Sequence, residues 1–210
     1  MTRLVIVRHG NTFEAGEAPR RIGARTDLPL TGTGVEQARA LGRHFAANGV
    51  RFDRVLAGEL QRTRATAAEI VGEQAPAVET VAFLTEIDHG PDEGQPEAEV
   101  VARLGSEAIA LWETERVAPD GWEVGAQWRV SAWREFVERT AEELPEGTIL
   151  LVTSNGAARF ALAALGLKPG AGMKFRTGSY GVVEVGGGAD FRLLAWDVRP
   201  GETSGELGWV

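Results

Sequence analysis

The stretch Leu4–Thr12, LVIVRHGNT, decides the fold prediction. Its first four residues are apolar and largely β-branched, and Arg8, His9 and Gly10 follow them directly. A run of this kind that ends at a glycine predicts a strand buried on both faces, as in a parallel sheet. Open α/β sheets bind ligands at the carboxyl ends of their strands. The sequence therefore places Arg8 and His9 at a ligand-binding edge, unless the charged pair only solvates the loop.

Strand-like and helix-like segments alternate along most of the chain. The alternation predicts an α/β fold with a mainly parallel central sheet flanked by helices. Further strands are predicted at residues 52–58, 77–84 and 147–153, helices at 34–47 (capped by Thr31), at 60–73 and from about 156, and an antiparallel hairpin over 180–198 that turns at Gly186–Gly188.

The domain prediction is a single domain over residues 1–200 with a mobile, small and polar tail at 201–210. Between about 88 and 143 the alternation stops, and two helical stretches rich in Trp, Glu and Arg predict a helical insertion over the carboxyl edge of the sheet. Its tryptophans either seal the insertion against the main domain or form a wall on the substrate side. They are Trp112, Trp122, Trp128 and Trp133.

Composition excludes several classes of protein. A net charge of -8 over 210 residues argues against a nucleic-acid binder, which would need a basic face. The absence of cysteine excludes disulfides, thiolate catalysis and cysteine-ligated metal sites. No secretory signal and no apolar run of about 18 residues is present, which predicts a cytoplasmic protein with no membrane partner.

Polar side chains follow several of the predicted strands and are expected to converge. Two arginines together with the amide groups at the start of a helix match the oxygens of a phosphate group. The sequence therefore predicts a site for a small phosphorylated substrate. The collected residues are Arg8, His9, Arg62, Glu86, His89 and Asn155, with the backbone amides near Gly156.

These segments, in this order and spacing, resemble the histidine phosphatase superfamily of phosphoglycerate-mutase-like proteins. The resemblance covers most of the chain. It is carried by RHGNT (8–12), ARTDLPLTGTGVEQARAL (24–41), LQRTRATA (60–67), LTEIDHGPDEG (84–94) and LLVTSNGAARFAL (150–162).

The resemblance implies a mechanism. His9 would attack phosphorus as a neutral imidazole and form a phosphohistidine that water then hydrolyses. Arg8 and Arg62 would neutralise the phosphoryl oxygens, and Glu86 would protonate the leaving oxygen, provided that burial offsets the effect of the two cations on its pKa. Asn11 and Thr12 match positions that help to hold the phosphoryl group, as would the Gly156 amide. No metal and no other cofactor is implied.

Two departures from the family pattern stand out. The family's usual Ser-His-Gly after the fourth strand is Ser154, Asn155 and Gly156 here, so Asn155 stands where a second histidine is usual. The loop after the first motif has Ala15 and Gly16 where many members have an asparagine.

Two further features of the site keep alternative interpretations. The basic residues of the first loop, Arg20, Arg21 and Arg25, either contact further acidic groups of a substrate or are solvated. His89 either packs in the turn or approaches the phosphoryl group.

Three functions are compatible with these residues. The first is a phosphatase for small phosphomonoesters that acts through phospho-His9, slowed by Asn155. The second is a phosphoglycerate-type mutase, although such mutases tend to be longer and to have more basic substrate contacts. The third is a phosphate-binding or regulatory protein with weakened catalysis, against which the presence of a complete set of nucleophile, arginines and acid argues.

Overall fold

The computed structural model describes residues 1–72, 76–170, 172–187 and 190–202. These residues contain a six-stranded sheet in the order β3-β2-β4-β1-β5-β6. The first four strands of the chain run parallel to one another, β5 pairs antiparallel with β1, and β6 pairs antiparallel with β5. The predicted fold class, a mainly parallel sheet flanked by helices, is confirmed. The strands are β1 (Thr2–Arg8), β2 (Arg54–Ala57), β3 (Val78–Thr80), β4 (Thr148–Thr153), β5 (Tyr180–Val185) and β6 (Phe191–Val198).

Both faces of the sheet are covered by helices. Side chains alternate along β1, so Val5 and Val7 join one buried cluster, with Leu41 and Phe45, and Leu4 and Ile6 join another. The second cluster includes the aromatic rings of the fifth and sixth helices. The helices are α1 (Gly32–Ala47), α2 (Gln61–Val71), α3 (Glu97–Leu104), α4 (Ser106–Glu115), α5 (Ala126–Glu143) and α6 (Asn155–Leu165).

The predicted cap of the first helix is confirmed. The Thr31 side-chain oxygen accepts a hydrogen bond from the Gly34 amide at 3.1 Å, and α1 begins at Gly32, two residues before the predicted start. The cap satisfies one of the amides that a helix start leaves without an intrahelical partner. It also anchors the loop that carries the first motif, because the Thr31 amide donates to the Asn11 carbonyl at 2.9 Å.

The third strand is shorter than predicted. Instead of a strand over 77–84, β3 ends at Thr80 and a single 3-10 turn occupies Ala82–Leu84. Phe83 and Leu84 are apolar because they enter the core, and not because they continue a strand. This bend directs the next residues, which include Glu86, back towards α6.

The helical insertion differs from its prediction in two respects. Its first helical stretch is divided into α3 and α4 by Gly105, whose φ of +82° suits glycine. Three of its tryptophans are buried, but Trp128 is 51% exposed and seals nothing. The limits of the insertion and of the domain stay predictions.

The C-terminal predictions lie partly outside the described residues. β5 and β6 pair antiparallel as predicted, and the Gly186 amide donates to the Asp190 carbonyl at 2.8 Å, but Gly188 of the predicted turn lies outside the described ranges. So do residues 203–210 of the predicted tail. None of the helices described is both long and apolar enough to cross a membrane.

Candidate active site

His9 follows the carboxyl end of β1 and is only 3% exposed. Its amide donates to the Thr153 carbonyl of β4 at 3.0 Å, and its Nδ1 lies 2.8 Å from the Gly10 carbonyl oxygen. A carbonyl oxygen only accepts, so Nδ1 carries the proton and Nε2 keeps its lone pair. Burial and the charges of Arg62 and Arg8 hold the pKa of His9 well below its ordinary value. The ring is therefore a neutral imidazole with a free Nε2.

Two buried arginines supply positive charge around His9. The guanidinium of Arg8 donates to the Phe175 carbonyl at 2.6 Å, and that of Arg62 donates to the carbonyls of Thr26 and Gly23 at 2.6 and 3.1 Å. Burial lowers the pKa of Arg8 to about 10 and also lowers that of Arg62, so both remain charged at neutral pH. Among the residues described, no carboxylate forms an ion pair with either of them. Their charge is available to an anionic ligand.

Glu86 is buried against the start of α6. Its carboxylate accepts hydrogen bonds from the amides of Ile87 (2.9 Å), Gly156 (3.1 Å) and Ala157 (3.0 Å). Burial would raise the pKa of Glu86, but the charge that His89 gains when it is protonated in acid, the amide hydrogen bonds and the charge of Arg62 outweigh it. The pKa is lowered, so the carboxyl group of the unliganded protein is ionised.

This geometry shows what the Gly156 amide contacts before a ligand binds. The amide donates to Glu86 at 3.1 Å, and its predicted contact with phosphate stays a prediction. A Cβ at this position would lie 2.5 Å from Glu86 Oε1, so the glycine permits the carboxylate to reach the helix end. The positive end of α6 therefore holds the protein's own carboxylate in this structure.

Asn155 is the first residue of α6 and is held by Phe175, the residue that also orients Arg8. Its Oδ1 accepts a hydrogen bond from the Phe175 amide at 3.0 Å, while the Phe175 carbonyl accepts from Arg8. Because an amide N–H needs an acceptor, this contact fixes which atom of the side chain is oxygen. The NH₂ group of Asn155 is left as a neutral donor for a ligand.

A cleft of about 180 Å³, here called the arginine cleft, opens beside these groups. It gathers most of the predicted site residues, although Asn11, Thr12, Arg62 and His9 are not among its lining. His9 and Arg62 still interact electrostatically with residues that line the cleft. Arg8 and Arg62 lower the pKa of His9, and Arg62 lowers the pKa of Glu86. The lining residues are Arg8, Arg20, Arg21, Ile22, Glu86, His89, Glu97, Trp112, Asn155 and Gly156.

Asn11 and Thr12 are half-buried and follow His9 closely in the loop after β1. The Asn11 side-chain oxygen accepts a hydrogen bond from the Thr177 hydroxyl. The backbone amide of Asn11 donates to the Gln37 side-chain oxygen at 2.8 Å. These contacts tie the loop after β1 to α1 and to the approach to β5. The predicted phosphate contacts of Asn11 and Thr12 stay predictions.

His89 both packs and lines the arginine cleft. Its ring meets Trp122 edge to face at a centroid distance of 4.5 Å. Burial lowers its pKa to about 4, so it is neutral at pH 7. Its Nδ1 is buried and has no hydrogen-bond partner among the described residues, the carboxylate of Glu93 being 4.0 Å away.

The basic loop is mostly neutralised. Arg21 forms an ion pair with Glu97 and lies over the Trp122 ring at 5.2 Å, and Arg25 pairs with Asp88 at 3.0 Å. Arg20 is exposed and lies 5.7 Å from the centre of the Phe13 ring. The loop therefore brings less free positive charge to the cleft than its sequence indicates.

Sequence reasoning missed the role of Phe175. The residue acts through its backbone, and backbone groups leave no signature of residue type. No cluster of side chains suited to a metal ion occurs within the described residues.

A profile of the histidine phosphatase superfamily (branch 1) matches residues 4–198. The chain therefore belongs to this superfamily, as its motifs predict. The matched range includes every site residue discussed above.

Individual relatives include both mutases and phosphatases. A 2,3-bisphosphoglycerate-dependent phosphoglycerate mutase of Methylobacterium sp. (strain 4-46) is 37% identical over 112 residues, which is 52% of this chain and 53% of the relative. The match thus spans about half the length of that mutase. An adenosylcobalamin/alpha-ribazole phosphatase of Escherichia coli (strain K12) is 29% identical over 171 residues, which is 78% of each protein.

A solved structure supports the fold over nearly the whole chain. The alpha-ribazole phosphatase of Shigella flexneri superimposes with a TM-score of 0.72 at 26% identity, covering 94% of this chain and 96% of the other.

Proposed function

We propose that this protein is a phosphatase that hydrolyses small phosphomonoesters through a phosphohistidine intermediate on His9. The observation that carries the proposal is the state of His9. Its Nδ1 proton is fixed on the Gly10 carbonyl, its Nε2 is unprotonated, and two arginines act on it electrostatically. An unprotonated nitrogen beside two cations that form no direct ion pair with a carboxylate of the described residues suits attack on an anionic phosphoryl group.

In the first step, His9 Nε2 forms a bond to phosphorus while the bond between phosphorus and the leaving oxygen breaks. Arg8 and Arg62 stabilise the charge on the phosphoryl oxygens, and the neutral NH₂ of Asn155 adds a hydrogen bond. The leaving oxygen takes a proton from Glu86 and departs as an alcohol.

In the second step, water attacks phosphorus and the bond to His9 breaks. Glu86, now a carboxylate, accepts the proton of the attacking water, and inorganic phosphate leaves. Glu86 then releases this proton to the departing phosphate or to solvent, which restores the carboxylate that the amides of α6 hold in the unliganded protein.

The proton on Glu86 must arrive with the substrate, because the carboxyl is ionised in the unliganded protein. A phosphomonoester has a second pKa near 6, at about the value given for phosphoserine, so its monoanion is abundant in mildly acidic solution. Binding of a second anion beside Glu86 raises the carboxyl pKa and favours the transfer. The rate on alkyl phosphates should therefore decline as the pH rises above about 6.

A phosphatase is favoured over a mutase by the charge of the arginine cleft. A mutase must hold a second acidic group of its substrate, and of the three basic residues of the first loop only Arg20 has no ion pair within the described residues, since Arg21 and Arg25 are paired with carboxylates. The presence of Glu86 opposite the cations favours catalysis over simple phosphate binding, because a binding protein gains nothing from a buried carboxylate near an anion.

The test is phosphate release from a set of phosphomonoesters, together with phosphoryl transfer between phosphoglycerates. His9→Ala should abolish release, and acid-labile label from a phosphorylated substrate should be trapped on His9 of the native protein. His44→Ala is the matched control, because His44 lies on α1 and contacts the Tyr180 hydroxyl at 2.9 Å. Label on a serine, or turnover by the His9 variant, would overturn the mechanism, and transfer without release would make the protein a mutase.

A further inference from the structure

Arg129, near the start of α5, has no part in the mechanism above and yet is buried, with 6% exposure. Its Nε donates to the Val124 carbonyl at 3.0 Å, and its Nη1 donates to those of Phe83 (2.9 Å) and Thr85 (2.6 Å). Its Nη2 donates to the carbonyl of Glu86 at 3.2 Å. One guanidinium therefore binds three carbonyls within a segment of four residues.

Burial of this charge is not offset by an acidic partner. Within the described ranges no carboxylate forms an ion pair with Arg129, and burial lowers its pKa. A buried cation is costly unless its donors are satisfied, and an apolar side chain at this place would leave the four carbonyls without these hydrogen bonds. What arginine adds at this position is its fixed fork of donors.

The segment that Arg129 holds has little regular structure of its own. It leaves the 3-10 turn at Leu84 and runs to Ile87, and on its other side the Thr153 hydroxyl donates to the Leu84 carbonyl at 2.7 Å. The Thr85 carbonyl belongs to the peptide before Glu86, and the Glu86 carbonyl belongs to the peptide after it. Arg129 thus binds both peptide units that flank the acid.

We infer that Arg129 is the positioning residue for Glu86: by holding both flanking peptides, it fixes the direction in which the carboxyl group points. The inference rests on the proposed function, in which Glu86 protonates the leaving oxygen. Geometry of such a group matters because a proton donor must be within hydrogen-bond reach of its acceptor. Through Arg129 the helical segment α5 is coupled to the chemistry without contact with substrate.

A leaving-group comparison tests this role. Two substrates are used, phenyl phosphate, whose leaving oxygen needs a proton, and 2,4-dinitrophenyl phosphate, whose leaving group departs as an anion. The value of kcat/KM is measured for native protein, Arg129→Met, Arg129→Lys and Glu86→Gln. This ratio covers only the steps up to transfer onto His9, so hydrolysis of the phosphoenzyme does not enter. Arg134→Met is the matched control, because Arg134 lies on the same helix and donates to the Ala164 carbonyl at 3.0 Å.

Arg129→Met should lower kcat/KM for phenyl phosphate by about 30- to 100-fold and for the dinitrophenyl ester by less than about 3-fold, the pattern of a lost proton donor. Arg129→Lys should lie between native protein and Arg129→Met, and Arg134→Met should match the native protein. Turnover of the dinitrophenyl ester also shows that a variant is folded.

Equal losses of kcat/KM on both esters in both Arg129 variants would overturn the inference, because the arginine would then support the site as a whole. Unchanged kcat/KM on both esters would overturn it as well. A larger loss of kcat/KM on phenyl phosphate than on the dinitrophenyl ester in Glu86→Gln, but not in Arg129→Met, would refute the positioning role alone. Equal losses for the two esters in Glu86→Gln would instead refute the role of proton donor that the proposed function assigns to Glu86.

Discussion

At the scale of single residues, Asn155 stands at the position where the resemblance implies a second histidine. Its side-chain oxygen is occupied by the Phe175 amide, so only its NH₂ group can face a ligand. That group donates a hydrogen bond without bringing the positive charge of an imidazolium. His89 does not replace the charge, because its lowered pKa of about 4 leaves it neutral.

Asn155→His should therefore raise turnover, because an imidazolium adds charge next to the phosphoryl oxygens. Asn155→Ala should lower it by roughly 100- to 1,000-fold, the cost of one preorganised donor. Asn155→Asp keeps an acceptor for the Phe175 amide, loses the donor and adds a negative charge, so it should lower turnover further than Asn155→Ala. Steady-state turnover of a phosphomonoester measures all three. A histidine variant slower than the native protein would mean that the pocket is built around the amide.

Residue types alone predict the chemistry of His9 but not its environment. The neutral state of the ring follows from burial and from the charges of Arg62 and Arg8, and its tautomer follows from the Gly10 carbonyl. Three amides, two of them on α6, hold the Glu86 carboxylate. The hydrogen bonds of this carbonyl and these amides cannot be read from a motif, because each is made by a backbone group. Arg129 was missed for the same reason, since it lies 43 residues from Glu86 and binds only carbonyls.

At the scale of elements, the approach to β5 places the peptide of Phe175 beside the site. Arg176 fixes this segment by ion pairs with Asp197 of β6 and with Glu202, both at 2.7 Å. The Ser179 hydroxyl donates to the same Asp197 carboxylate at 2.8 Å. Asp197 has a φ of +59°, which is uncommon for a residue other than glycine and indicates a strained position held by these bonds.

Arg176→Met should lower kcat/KM roughly tenfold, because loss of the ion pairs with Asp197 and Glu202 lets Phe175, which orients Arg8 and Asn155, shift. Arg192→Met is the control, since Arg192 lies on β6 and pairs with Glu184 at 3.5 Å, away from the site. The two variants are compared on the same phosphomonoester. Unchanged kcat/KM in the Arg176 variant would show that Phe175 keeps its position without the ion pairs of Arg176.

Elements with a strong pattern were predicted well, and the exceptions have physical reasons. β1 and β4 are continuous apolar runs, and α1 has both a cap and an apolar face. The predicted strand over 77–84 failed in its second half because apolar residues of a buried turn and of a buried strand look alike in sequence. The clustering of Arg21 and Arg25 with acids of the turn depends on contacts far apart in sequence.

At the scale of the whole molecule, the chain buries ionisable groups that must stay neutral in the folded state. Burial lowers the pKa of His9 well below 6.5, lowers that of His89 to about 4 and lowers that of His44. In the unfolded chain these groups return to about 6.5. Below that pH the unfolded chain binds more protons than the folded one, so this part of the free energy of unfolding is complete above pH 6.5 and is lost as the pH falls towards 4.

The Tm should therefore fall between pH 7 and pH 5, by roughly 5 °C for a domain of this size if about 2 kcal/mol is lost. The net charge of -8 works in the opposite direction, because acid relieves repulsion between carboxylates. His89→Phe isolates the histidine contribution, since it keeps the edge-to-face contact with Trp122 and gives up a ring nitrogen that has no hydrogen-bond partner among the described residues. Thermal unfolding followed by circular dichroism at pH 7, 6 and 5 should give a shallower decline for His89→Phe than for the native protein. Parallel curves for the two proteins would show that His89 binds its proton equally well in the folded and unfolded states, and the lowered pKa assigned to it would be wrong.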